Sequence, residues 1–307
     1  MATSGFLIYK SLNSVKIGVT LCTDLMVQPS FNIGAGSPAE CDAGNGQLLL
    51  FLSESWFAAL WASKQEKRLH RLVVYPLDKS GDTPHAELLQ DIFQQDPFFH
   101  IKVREQLLIY AYNECHLVPD NQFRHDMGAS IMNLLSGNLK KGLVLHEKVI
   151  GRDIHSVYRI PVAIHELFQS KFIAGKYWHF YSLLLRQTQP EPRHATVFEL
   201  AFFPEKFIVL AEQEGNLLLM QSYPYQQSED VSWVILDIAR NLGLKPQDVF
   251  LRISGLIDPI SGLFQELEKY FPHIGFDSFD VREWQQPALS SYPSHYFSPF
   301  LKVASCV

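Results

Sequence analysis

The chain has 307 residues, of which 47% are hydrophobic and 19% charged, a composition typical of a folded protein rather than a disordered one. This length suffices for two domains of ordinary size, each with its own core. The formal net charge of −6 comes without any cluster of Lys and Arg, so it disfavours nucleic acid and an anionic membrane surface as partners.

Cysteine usage and hydropathy indicate the compartment. The four cysteines, Cys22, Cys41, Cys115 and Cys306, lie far apart and form no CxxC pair, so neither a zinc site nor a disulfide framework is expected. No apolar run approaches the roughly 20 residues that a membrane helix needs. We therefore expect a cytoplasmic protein with reduced thiols, no metal site and no membrane span.

Residues 1–46 read as an N-terminal extension that is partly disordered. Gly, Pro, Asn and Asp cluster between Gly34 and Gly46, which is typical of a loop. The segment before it lacks the long apolar region and the cleavage site of a signal peptide. Met26 is an alternative start, which would leave residues 1–25 outside the native protein, and both starts remain open.

The pattern becomes regular after residue 46. Short apolar runs predict three strands joined by turns, then a helix with Leu88, Leu89, Ile92 and Phe93 on one face, then a fourth strand. The predicted ranges are 47–52, 56–61 and 69–75 for the strands, 85–93 for the helix, and 103–112 for the fourth strand.

A segment of about residues 113–160 reads as an insertion. It holds a predicted helix at about 124–135 and a hairpin that turns at Gly151-Arg152. Pro161 then fits the first turn of another helix, and 177–185 predicts a fifth strand that runs into a helix. The polar stretch 186–194, with two prolines, predicts a domain boundary.

The second half repeats the element order of the first. Two tight turns divide 196–224 into three strands, a helix begins at Ser228 and ends at Gly243, and a strand follows to residue 256. A helix at 259–271 and a strand at 273–279 come next. The tail from residue 286 is rich in Ser, Pro and aromatic residues, and we expect it to pack as an irregular segment.

Two dipeptides also recur at one offset. Gln65-Glu66 and Gln213-Glu214, like Tyr75-Pro76 and Tyr223-Pro224, are 148 positions apart (213 − 65 and 223 − 75). Single dipeptide matches arise by chance, so the element order carries more weight. We interpret the chain as an internal duplication.

Three antiparallel strands followed by helix, strand, helix and strand, made twice, is the plan of the duplicated ribonuclease-H-like fold of actin, Hsp70 and sugar kinases. We therefore predict an α/β protein of actin-like fold with two domains, each with a mixed five-stranded sheet flanked by helices. The first domain spans residues 47–190 and the second 191–307.

Four sequence segments resemble a known family: NECHLVPDNQF, VYRIPVAIHELF, YPYQQSEDVSWVILDIARNLGLKPQDVFLRISGLI and HYFSPF. They are similar to the bacterial domain of unknown function 3822, found in Bacteroidetes, and the resemblance runs from about Ser30 to the C-terminus. It implies an actin-like fold, an insertion in the first half like that of cell-division and pilus-assembly members of the superfamily, and no established activity.

An actin-like ATPase needs a carboxylate and backbone amides at the turn between the first two strands of each half, because these groups hold a cation and the phosphates. Here the turns read Ser53-Glu54-Ser55-Trp56 and Phe203-Pro204-Glu205-Lys206, without the usual Asp-x-Gly. Trp56 would crowd a phosphate and Pro204 lacks an amide hydrogen. Glu54 and Glu205 are either distant replacements for the carboxylate or ordinary exposed turn residues.

The nucleoside-binding glycine pair of such folds is replaced by Ser254-Gly255. The candidate residues of a remnant cleft are thus Ser53, Glu54, Glu205, Ser254 and Gly255, while Gly255 could equally serve only the passage from strand to helix. No catalytic residue stands out, because the sequence has no GxSxG, HExxH or glycine-rich phosphate loop.

The predicted function is therefore that of a non-catalytic actin-like protein, a scaffold or protein-interaction module that has lost ATP hydrolysis, needs no cofactor and binds a protein partner not identified by the sequence. The alternative is a nucleotide-binding protein that uses the cleft between its domains, with ATP as the ligand.

Overall fold

The computed structural model describes residues 27–34, 38, 45–77, 84–138, 141–188, 194–277 and 283–306. The alternative start at Met26, Cys22, Cys41 and part of the predicted boundary stretch 186–194 lie outside these residues. Cys115 and Cys306 are free thiols. In the part of the chain described, no helix is long and apolar enough to cross a membrane.

The first sheet has six strands in the order β1-β4-β3-β2-β5-β9. Its middle strands are buried on both faces, which explains their continuous apolar sequence. The strands are β1 (Phe31–Ile33), β2 (Gly46–Leu52), β3 (Trp56–Ser63), β4 (Arg68–Pro76), β5 (Glu105–Tyr110) and β9 (Lys176–His179).

The sixth strand, β1, corrects the prediction of a five-stranded first sheet. It lies inside the segment predicted as the N-terminal extension. β1 pairs antiparallel with β4, and Ile33 is 2% exposed. The ring of Phe31 packs edge-on against Phe297 at 5.4 Å between ring centres. Three residues are too few to show the alternation by which a strand is recognised in sequence.

The second sheet has five strands in the order β12-β11-β10-β13-β14. This is the order of the last five strands of the first sheet, with antiparallel neighbours on one side and parallel ones on the other. The strands are β10 (Thr196–Phe203), β11 (Lys206–Gln213), β12 (Asn216–Pro224), β13 (Val249–Gly255) and β14 (His273–Phe276). The second strand of each set carries a register shift, at Trp61/Ala62 and at Ala211/Glu212.

The helices flank these sheets. α5 (Ser228–Asn241) begins with a capping box between Gln227 and Asp230 and buries Val231, Ile235 and Ile238 against the second sheet. The first sheet is flanked by α1 (His85–Gln95), α3 (Val162–Lys171) and α4 (Phe180–Leu185), and the second also by α6 (Gly262–Glu268).

A third sheet forms from the segment predicted as an insertion. It has the order β6-β8-β7, with β6 (Cys115–Pro119), β7 (Leu143–Lys148) and β8 (Ile154–Ile160). The predicted hairpin turn is confirmed, with Gly151 at φ 81°. Helix α2 (Gly128–Ser136) packs on this sheet and begins four residues later than predicted, because short 3₁₀ turns precede it. The described residues thus form three sheets, where two of five strands each were predicted.

The tail contains a helix where an irregular segment was predicted. After a 3₁₀ turn at Pro287–Ser291, α7 (Ser298–Cys306) buries Phe300, Leu301, Val303 and Ala304. It packs against α4 and β13, so it lies between the first two sheets. Six of its nine residues are buried. The Ser and Pro residues in and around α7 favour irregular structure, so the composition of the tail did not predict a helix.

Candidate functional site

The two turns at which an actin-like ATPase would hold phosphates occupy equivalent places in the two sheets. Turn 1 is Ser53–Trp56, between β2 and β3, and turn 2 is Phe203–Lys206, between β10 and β11. Leu52 pairs with Phe57 just before turn 1, as Phe202 pairs with Phe207 just before turn 2. The two turns contact each other, so they define the candidate site.

Turn 1 is closed on itself by Ser53. The hydroxyl oxygen of Ser53 accepts hydrogen bonds from the amides of Ser55 and Trp56, each at 3.2 Å. The amide of Ser53 donates to the carbonyl of Trp56 at 3.0 Å. The amides of Ser53, Ser55 and Trp56 are therefore already bonded within the turn.

Glu54 links the two turns, although the sequence allowed it to be an ordinary exposed residue. Its Oε1 accepts from the amide of Asn113 at 2.6 Å, and its Oε2 lies 3.1 Å from Nζ of Lys206. Lys206 is only 4% exposed and also donates to the carbonyl of Ala111 at 2.5 Å. A buried ammonium thus lies where the site would need a cation and phosphates.

The aromatic rings of the turns fill the rest of the space between them. The ring of Trp56 stacks on Phe203 with 5.1 Å between centres and 14° between planes. Phe300 of α7 packs edge-on against both rings, at 5.7 and 5.8 Å. All three side chains are at most 3% exposed. The tail therefore completes a continuous core between the two turns.

Glu205 is placed differently from Glu54. It is exposed and has a left-handed φ of 62°, which is uncommon for a residue other than glycine. Its carbonyl accepts from the amide of Tyr225 at 3.1 Å. Of the two glutamates predicted as carboxylate candidates, Glu54 is thus the partner of a buried lysine and Glu205 is an exposed turn residue.

Ser254 and Gly255 lie at the end of β13, beside the tail. Gly255 has φ 83°, and a Cβ there would lie 2.1 Å from the carbonyl oxygen of Phe202. Its amide donates to the carbonyl of His295 at 2.8 Å. Ser254 donates to the carbonyl of Leu200 at 3.3 Å. The glycine is therefore required by the close approach of its own chain.

The tail segment at Gly255 is fixed by further contacts. The ring of His295 stacks on Phe276 at 4.0 Å, and its Nε2 bonds the carbonyl of Ile257 at 2.8 Å. Burial lowers the pKa of His295, so the ring is held in the neutral form. Nearby, Lys302 of α7 pairs with the buried carboxylate of Asp277 at 2.6 Å.

A cavity of about 510 Å³ remains open on one side of turn 2. Among the described lining residues none carries a charge, and four are aromatic. The lining consists of Ser30, Phe31, Phe203, Pro204, Tyr225, Leu256 and Tyr296. This space suits an apolar or aromatic group better than phosphates.

Several residues of this site escaped the sequence analysis: Lys206, Asn113, Phe300 and His295. Lys206 is the first residue of an otherwise apolar strand, a position at which a lysine is expected to be exposed to water. Its partner Glu54 is 152 positions away. Only a contact prediction between the two halves could have revealed the pair.

The chain resembles known proteins in sequence and in structure. The model of the family described as "Protein of unknown function (DUF3822)" matches residues 42–274. No curated protein matches the chain in sequence. A Bacteroides thetaiotaomicron protein with actin-like ATPase fold and unknown function shares 13% identity and covers 86% of this chain and 97% of its own, with a TM-score of 0.73.

A second similar structure is the PilM–PilN type IV pilus biogenesis complex. It shares 11% identity, covers 84% of this chain and 97% of its own, and has a TM-score of 0.52. At such identities the likeness shows the fold alone. The fold is that of actin-like ATPases, as the strand order predicted.

Proposed function

We propose that this chain, which belongs to the DUF3822 family of proteins of unknown function, is a non-catalytic actin-like protein that serves as a scaffold or protein-interaction module. Its two actin-like domains would span residues 47–190 and 191–307, with the third sheet as an insertion into the first. The observation that carries the proposal is the filled space between turn 1 and turn 2.

Hydrolysis of ATP requires a cation and phosphates held between the turns by a carboxylate and backbone amides. Here Glu54 is paired with Lys206, and the turn 1 amides are bonded to Ser53. Phosphates would also have to displace the buried stack of Trp56 on Phe203. Each of these contacts opposes nucleotide chemistry at the site.

An interaction role is supported by the fold. The PilM–PilN complex contains a protein of similar fold bound to another protein. When the cleft is filled, a protein of this fold can still recognise a partner through its outer surface. The surface of this chain includes apolar side chains such as Leu134, which is 83% exposed.

The test is an assay of phosphate release from Mg-ATP by the purified, nucleotide-stripped full chain. We expect no more release than from the Glu54→Ala variant. Glu205→Ala, at an exposed position, is the matched control for the loss of a turn carboxylate. Hydrolysis that is clearly above buffer and is abolished by Glu54→Ala but kept by Glu205→Ala would overturn the proposal.

A second candidate function is nucleotide or nucleoside binding without hydrolysis. It is favoured by the open cavity of about 510 Å³ beside Leu256, the residue after Gly255. Its aromatic lining would accept a base between rings such as Tyr225 and Tyr296. A ligand at 100 times its dissociation constant should stabilise the fold by about 2.7 kcal/mol.

Thermal unfolding with adenosine and with ATP separates these candidates. If the cavity takes a base, adenosine raises Tm, and Tyr225→Ala reduces the rise. No shift with either ligand would leave the non-binding interaction module as the better description.

A further inference from the structure

A groove runs between the third sheet and the second sheet. One wall is β6, at the edge of the third sheet, and the other is β12, at the edge of the second sheet. Its volume is about 400 Å³. We call it the edge groove, because within the described residues each wall is a strand paired on one side only.

The wall at β6 turns backbone groups toward the groove. The amide of Arg159 donates to the carbonyl of Glu114, and the amide of Asp120 donates to the carbonyl of Asp153. In an antiparallel pair, alternate residues bond to the partner strand. Glu114, His116, Val118 and Asp120 therefore bond to β8, so the amide and carbonyl of Leu117 are directed away from it.

The wall at β12 follows the same rule. The amide of Tyr225 donates to the carbonyl of Glu205, which sets Tyr223 and Gln221 as the next residues bonded to β11. The amides and carbonyls of Met220 and Ser222 are then directed to the outer edge. Both walls thus present backbone donors and acceptors along the groove.

Contacts at both ends hold the walls in place. At one end Arg152, in the β7–β8 turn, donates to the carbonyl of Gly215 at 3.3 Å and to Glu212 at 2.6 Å. At the other end Lys206 donates to Oδ1 of Asn113 at 3.0 Å. β6 and β12 therefore run in opposite directions, and a span of five strand residues is about 16 Å long.

The side chains of the groove are apolar or uncharged. Leu117, Ile154, Leu217 and Leu218 supply apolar surface, while His116 and Gln221 are polar. None of the described lining residues is an acid, a lysine or an arginine. An occupant with apolar, uncharged side chains fits this lining, because a charge would lose its hydration without gaining a partner.

We propose that an extended segment of a partner protein binds in the edge groove and adds a strand to β12, with its apolar side chains packed against the apolar side chains of the groove. This inference rests on the proposed interaction function and deepens it. Strand addition satisfies the outer amides and carbonyls of Met220 and Ser222, whereas an apolar small molecule would cover them and leave them unbonded. A second folded copy cannot bring a strand edge between two walls that are joined at both ends.

The test uses a phage-displayed library of random 12-residue peptides selected on the full chain. Enriched peptides are synthesised, and their affinity is measured by fluorescence polarisation for wild type, Leu218→Asp and Ile173→Asp. Leu218 lies in the groove and Ile173, 90% exposed, lies outside it, so the second variant is the matched control. We expect at least tenfold weaker binding to Leu218→Asp and unchanged binding to Ile173→Asp.

Gln221→Lys, at an exposed position in the same wall, gives a second variant should Leu218→Asp not fold. Amide hydrogen exchange in 216–222 should slow on peptide binding, while that in 206–213 of the inner strand stays unchanged. Three outcomes would overturn the proposal of strand addition in the edge groove. They are equal peptide affinity for wild type and both groove variants, slowed amide exchange only outside 216–222, and no peptide enriched above the bare support. ATP hydrolysis would instead overturn the interaction function, whatever the peptides do.

Discussion

Turn 1 and turn 2 occupy equivalent places in two sheets that share the order of five strands, yet their chemistry is complementary rather than alike. Ser53 of turn 1 corresponds to Phe203 of turn 2, and Trp56 corresponds to Lys206. Trp56 stacks on Phe203, while Lys206 pairs with Glu54. Each turn thus supplies one apolar and one polar partner to the other, which closes the space that identical, phosphate-binding turns would leave open.

The strand ends beside the turns differ in the same way. Tyr110 pairs with Leu52 at the end of β5, and Gly255 pairs with Phe202 at the end of β13. The hydroxyl of Tyr110 bonds His165 of α3 at 2.9 Å, so that half packs its strand end on a helix. Gly255 has no side chain, and its amide donates a hydrogen bond to the carbonyl of His295 in the tail. Equal topology therefore does not dictate equal contacts at the junction.

The largest predicted effect comes from removing the ring of turn 2. Phe203→Ala should lower the free energy of unfolding by about 3–5 kcal/mol, because it leaves a cavity beside Trp56 and Phe300. Phe202→Ala is the control, since this neighbour is equally buried but packs on the other face, among Phe207 and Tyr225. Denaturant unfolding measures both.

The two variants should differ in their coupling to turn 1. Combined with Trp56→Phe, Phe203→Ala should show a coupling of about 0.5–1.5 kcal/mol, and Phe202→Ala should be additive. Additive behaviour of both pairs would mean that the two turns are stabilised independently. The packing between the turns would then no longer support the loss of a nucleotide site.

Much of the fold could be predicted from sequence because its elements are local. The three strands and two turns of 196–224 and the helical spacing from Ser228 each depend on neighbouring residues, and the structure confirms them. β1 and α7 were not predicted, because the first is three residues long and the second lies in a tail whose Ser and Pro residues favour irregular structure.

The candidate site was predicted only in part, for a related reason. Glu54 and Gly255 were located by their places in the strand order, but their partners could not be. Lys206 lies 152 positions from Glu54, and His295 reaches Gly255 from the tail. Contacts between distant segments depend on how the sheets pack, which short-range patterns do not encode.

The halves differ again in the third sheet, which only the first half carries among the described residues. Glu147 of β7 attaches that sheet to the first one: its carboxylate accepts from the amide of His179 at 2.7 Å and from the hydroxyl of Tyr158 at 3.0 Å. Burial raises the pKa of Glu147 from 4.5 to about 7. The folded state therefore favours the neutral carboxyl group.

The sign of the pH dependence follows from that shift. Between pH 4.5 and about 7 the folded state binds more protons at Glu147 than the unfolded state, so its contribution falls as pH rises through this window, by about 3 kcal/mol in total. Glu147→Gln cannot ionise and should lack this fall. The measurement is the difference in unfolding free energy between wild type and variant at pH 4.5, 6 and 8. A difference that is constant with pH would contradict the buried, neutral Glu147.

Among the single substitutions, the prediction with the smallest loss concerns the ion pair between the turns. Lys206→Met keeps the length of the side chain and removes its charge, leaving Glu54 without its cation and the carbonyl of Ala111 without its donor. Because Lys206 is 4% exposed while Glu54 retains 29% exposure, we expect a loss of about 1.5–3 kcal/mol rather than the larger cost of a fully buried pair.

Lys176→Met is the matched control, since Lys176 pairs with Glu105 at a similar distance, 3.0 Å, but is 62% exposed. Its loss should cost at most about 1 kcal/mol. Denaturant unfolding at low and high salt separates the two, because salt screens the exposed pair and hardly affects the buried one. If Lys206→Met were as mild as Lys176→Met, the polar half of the complementarity between the turns would contribute little, and the stacked rings alone would hold them together.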